Sequence, residues 1–143
     1  MTQPDYDDPE VEAAWFRKSR TQVSDYLHRQ KVPSRVLPEQ PAWSVAPHVA
    51  LWRVPGPRTG QPAFWAIEGD LPADFFPFDL AKDAQEALRA FGERWTTVSN
   101  YLLAGRQHPT IHIANPEQPE AFGTLLAARA SLLLRWARDP DLW

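Results

Sequence analysis

The placement of proline constrains this chain more than any other feature of its sequence. There are 15 prolines in 143 residues, about twice the usual share. None falls in 10–32, 78–108 or 120–139, and nine lie between Pro33 and Pro77. Proline removes an N–H and clashes with the preceding turn of a helix, so long helices are confined to those three windows. The proline-rich middle must then be strand, turn and irregular chain.

Each window carries its own helical pattern. The first opens with Asp8-Pro9, an N-cap carboxylate and a first-turn proline, followed by Glu10 and Glu12, which suit the positive end of the helix dipole. Val11, Trp15, Ser19, Gln22, Val23, Tyr26 and Leu27 then recur at helical spacing around a polar middle. In the second, Ala84, Leu88, Phe91, Trp95, Val98 and Leu102 draw one apolar stripe, with Gly105 as a stop and Gly92 as a point of close packing. The third repeats the pattern with Phe122, Leu125, Leu126, Leu132, Leu133 and Trp136, up to Asp139-Pro140.

Between the first two windows, HVALWRV (48–54) and AFWAIE (63–68) have strand composition, and PGPRTGQP between them predicts a hairpin with a loose tip. TIHIA (110–114) predicts a third short strand. The expected fold is α+β, with three main helices packed on a small, mainly antiparallel sheet in the order α-β-β-α-β-α. The expected organisation is one domain over 1–143, with residues 1–8 as an acidic tail.

Composition narrows the chemistry. No cysteine is present, which excludes disulfides, thiolate metal sites and cysteine nucleophiles. The sequence has no GxSxG, SxxK, HExxH, GxGxxG or P-loop pattern. His108 and His112 would lie about 13 Å apart in a strand, too far to share an ion. We therefore expect no catalytic residue, no metal and no cofactor. With no basic-apolar leader and no membrane-length apolar run, the expected location is the cytoplasm, away from membranes. The basic stretch from Arg17 to Arg35 reads as a solvated helix face instead of a nucleic-acid surface, because the net charge is −3.

The segment WAIEGDLPADFFPFD (65–79) concentrates acids beside rings. Glu68 and Asp70 flank Gly69, two apart, so an extended chain would turn both to one side. Gly-Asp-Leu-Pro also reads as turn chemistry, with the rings as a plug seating the second helix. Seven tryptophans mostly fill the core, leaving Trp43 and Trp143 outside regular elements, while Arg94 points off the second helix's apolar stripe. Trp43, Trp65, Glu68, Asp70, Asp74, Arg94 and Trp143 are thus the candidate binding residues.

The stretches PAWSVAPHVALW, WAIEGDLP, ALRAFGERW and RASLLLRW resemble a family of small bacterial proteins classed as a domain of unknown function, from about Trp15 to the C-terminus. The resemblance implies a bacterial, cytoplasmic, single-domain α+β protein, and it supplies no reaction or ligand. We expect a non-catalytic protein-binding protein, immunity-like in its size and acidity. The alternative is a small-molecule binder or enzyme with a pocket lined by Trp65, Glu68, Asp70 and Arg94 at the end of the second strand. The balance weighs against an enzyme, and a nucleic-acid partner ranks last.

Overall fold

The computed structural model describes residues 4–113 and 117–143. It is an α+β fold of three helices and a four-stranded antiparallel sheet, and the chain forms two compact units that divide after Asp79.

The first unit begins with α1 (Pro9–Arg29). Asp8 caps it by accepting the N–H of Glu10 at 2.9 Å, while Asp5 accepts the N–H of Asp7, so Asp5–Asp8 form a bonded turn leading into the helix. At the other end Lys31 adopts φ 59°, and Val32 N–H reaches back to the carbonyl of Leu27. This is the left-handed stop that glycine usually supplies. A proline-flanked strap from 32 to 41 follows, then β1 (Trp43–Val45), β2 (Val49–Pro55), β3 (Pro62–Gly69) and β4 (Leu71–Pro77), with a 3-10 turn at Phe78–Leu80. The sheet order is β1-β2-β3-β4. One sheet face, with Ala50, Trp52, Val54 and Ala66, makes a core with Val23 and Leu27 of α1 and with Leu37 of the strap.

The second unit is a helix pair, α2 (Ala84–Leu103) and α3 (Pro119–Arg138). Asp83 caps α2 by accepting the N–H of Glu86, and Glu86 accepts the N–H of Lys82. A methyl added at Gly92 would lie 2.8 Å from the Leu134 side chain, and one at Gly123 would lie 3.0 Å from Leu102. The close approach expected at Gly92 is therefore the crossing of α3.

Several expectations need correction. The element order is α-β-β-β-β-α-α, because residues 110–113 form no strand; Ala114 lies outside the described residues. His108 Nδ1 accepts the N–H groups of both Thr110 and Ile111, at 3.1 and 3.0 Å, which takes two donors a ladder would need. Strands β1 and β4 account for the rest of the difference. Both are edge strands, where proline is tolerated, so Pro72 and Pro77 did not prevent pairing and the aromatic "plug" is a strand.

The hairpin tip is not loose either. Gly56 N–H bonds to Gln61 O, and the Arg35 side chain donates to the carbonyls of Pro57 and Arg58. Among the described residues no helix is long and apolar enough to cross a membrane.

Candidate functional site

The β3–β4 register decides what the acid-and-ring segment builds. Ile67 pairs with Asp74 and Gly69 with Leu71, so one residue of β3, Glu68, faces two of β4, Pro72 and Ala73. This bulge and the turn after Gly69 break the alternation. A methyl at Gly69 (φ 150°) would overlap the carbonyl of His48, and that carbonyl accepts the N–H of Asp70 at 2.8 Å. Asp70 is consequently held in an exposed bend.

Glu68 and Trp65, three residues apart on one strand, project from opposite sheet faces. Trp65 is fully buried, stacked on Phe78 at 4.8 Å, with the Arg53 guanidinium 5.4 Å from its ring centre. Trp43 and Asp74 lie on that same face, in one register row through Leu51 and Ile67. Asp74 is buried and accepts the N–H of Phe75 at 2.8 Å. The structure thus brings Trp43, Trp65 and Asp74 to one face, turns Glu68 to the other and leaves Asp70 in the bend. In the second unit Arg94 is half-buried on α2, and Trp143, 39 % exposed, donates its indole N–H to Trp136 O at 3.0 Å.

Glu68 is half-buried on the α1 side. The Ser19 hydroxyl donates to its Oε2 at 2.6 Å, and the Trp52 indole N–H donates to the Ser19 oxygen at 3.1 Å. Burial raises the Glu68 pKa above its ordinary value, opposed by the Ser19 hydrogen bond and by the charge of Lys18. Ser19 itself is buried, so this trio ties helix to sheet and offers no open nucleophile. The polar residue in the middle of α1's apolar spacing is explained by this bond.

The surface feature of the first unit that sequence reasoning missed is a groove along α1. Arg20 donates from Nε and one terminal nitrogen to Leu37 O, at 3.1 and 2.6 Å, and clamps the strap against the helix. On one side of this clamp is a hollow of about 300 Å³ lined by Ala13, Phe16, Arg17, Arg20, Glu39 and Gln40. On the other is one of about 230 Å³ lined by Arg20, Thr21, Ser24, Asp25, Val36 and Leu37. Leu37 is buried in the core while its neighbour Val36 is 80 % exposed. Ala13 to Asp25 spans about 18 Å of helix. Glu68, Asp70 and Asp74 line neither hollow. The signal available in sequence was the basic stretch from Arg17, read there as a solvated face.

The family described as Domain of unknown function (DUF4826) matches residues 10–143. The chain belongs to this family. No curated protein and no solved structure matches it. In this DUF4826 domain the Ser19–Glu68–Trp52 trio, the Arg20 clamp and both hollows lie inside the matched span.

Proposed function

We propose that this protein is a non-catalytic binding protein that engages a protein partner through the α1 groove. The observation that carries this reading is Val36, left 80 % exposed on the lining of one hollow, across the Arg20 clamp from a second hollow that holds Phe16 and Arg17. Aromatic residues and arginine, here Phe16 beside Arg17 and Arg20, are enriched in protein-binding interfaces. A strap clamped in advance also lowers the ordering cost of binding. The partner segment of best fit is extended, with one aliphatic residue for Val36, another across the clamp for Phe16, and a carboxylate for Arg17.

The working location is the bacterial cytoplasm. Within this reading the partner is a toxin if the protein is immunity-like, an analogy of size and acidity and not of site chemistry. The carboxylate-pocket alternative requires Trp65 and Glu68 to face one cavity. Their projection from opposite sheet faces counts against it.

Selection from a displayed random-peptide library tests the proposal. Enriched peptides are expected to carry an aliphatic residue near an acid and to lose binding to Val36→Asp and Arg17→Glu. Enrichment of peptides that bind both variants as well as wild type, or failure to enrich any, would overturn it.

A further inference from the structure

We propose that His108 is a pH-operated latch on the connection between α2 and α3, its neutral ring closing the 108–111 turn and protonation releasing it. This device lies in the second unit and does not depend on the α1 groove. The Nδ1 atom of His108 accepts the N–H of Thr110 at 3.1 Å and that of Ile111 at 3.0 Å, and the Thr110 hydroxyl stands 3.5 Å from the same nitrogen. A backbone N–H can only donate, so this nitrogen carries a lone pair and the ring proton sits on Nε2.

A turn closed by a side chain in this way is usually built by asparagine or aspartate. The difference lies in the acceptor. An amide or carboxylate oxygen accepts throughout the neutral range, whereas histidine ordinarily changes charge between about pH 5 and 8. The imidazolium carries N–H on both nitrogens. Its Nδ1–H would then point at two further N–H groups, and both bonds are lost together. The chain that leaves the turn holds Ile111, half-buried, and Ile113, 4 % exposed. Release of the turn therefore loosens the seat of both.

The surroundings of the ring do not replace what protonation removes. The titratable and charged groups of the neighbouring elements are Tyr101 on α2, Arg106 just beyond it, His112 in the connection, and Glu117 and Glu120 at the start of α3. Tyr101 meets the His108 ring edge-on at 5.0 Å, and the Arg106 guanidinium lies over that same tyrosine at 5.6 Å. Among the described residues no carboxylate bonds to His108. An imidazolium here has a cation nearby and no hydrogen-bonded anion.

NMR of the full chain tests the latch in wild type, His108→Asn and His112→Gln. The turn's bonds are complete while the ring is neutral and are lost as the pH falls. Wild type is expected to show the Nε2–H tautomer of His108 at high pH, read from its ring nitrogen shifts. The amide signals of Thr110 and Ile111 should then titrate with the same midpoint as that ring. Their exchange protection, corrected for the intrinsic effect of pH, should fall at least about fivefold across the transition. His108→Asn supplies an acceptor that does not titrate, so it should keep the turn and abolish the transition, while His112→Gln should leave the transition in place. An Nδ1–H tautomer at high pH, turn amides that do not follow the His108 ring, or a transition that survives His108→Asn or vanishes in His112→Gln would overturn the proposal.

Discussion

The hydroxyl of Ser19 on α1 donates a 2.6 Å hydrogen bond to Glu68 on β3, 49 residues away in sequence. The same oxygen accepts the indole N–H of the fully buried Trp52. One small side chain thus satisfies a core tryptophan and a half-buried acid together. Ser19→Ala removes both partners and should destabilise the fold by about 1–3 kcal/mol, the cost of leaving buried polar groups unpaired. Urea denaturation measures this, and a loss within error of zero would mean that water replaces the hydroxyl.

Glu68 sets a pH dependence whose sign follows from its raised pKa. A carboxyl that is harder to ionise in the folded state favours folding when protonated. Its contribution is complete below the unfolded value near 4.5 and is lost as pH rises through the higher folded value. Glu68→Gln keeps an oxygen for Ser19 without a charge to bury. The variant should match or exceed wild type in stability at pH 7, with a flatter profile between pH 4.5 and 7. A variant much less stable than wild type at pH 7 would mean that the attraction of Lys18 outweighs burial.

Gly69 is required by its neighbours. Gly69→Ala places a methyl against the His48 carbonyl at a φ of 150°, where side chains are strained. We expect a loss of at least about 2 kcal/mol and disturbed β3–β4 resonances by NMR. Full stability would show that the β2–β3 pair yields easily at this point.

Lys31 offers the opposite case. It holds a left-handed φ of 59° at the end of α1, a conformation costing a non-glycine residue about 1 kcal/mol or more. Lys31→Gly should raise stability by up to about 1 kcal/mol, read as a higher urea midpoint with unchanged slope.

The helices were legible because proline-free windows, apolar spacing and caps at Asp8 and Gly105 all agree. Strands β2 and β3 were legible by composition. The edge strands were not, since Pro72 and Pro77 read as breakers and only sheet position shows that an edge accepts them. His108 hid the failure of the 110–113 strand, because its capture of two backbone N–H groups leaves no pattern in sequence. The same holds for the groove. Arg20 is one arginine among several until its bond to Leu37 O folds the strap onto α1.

The account stands or falls on the α1 groove as a protein-binding surface. Photo-crosslinking in the cells that naturally produce the protein tests it most directly, with a photoreactive phenylalanine analogue at Val36, at Glu39, and at Thr97 as the control. The account predicts the same protein adduct from positions 36 and 39 and none from 97. No adduct at either groove position, or adducts of equal yield from all three, would contradict it.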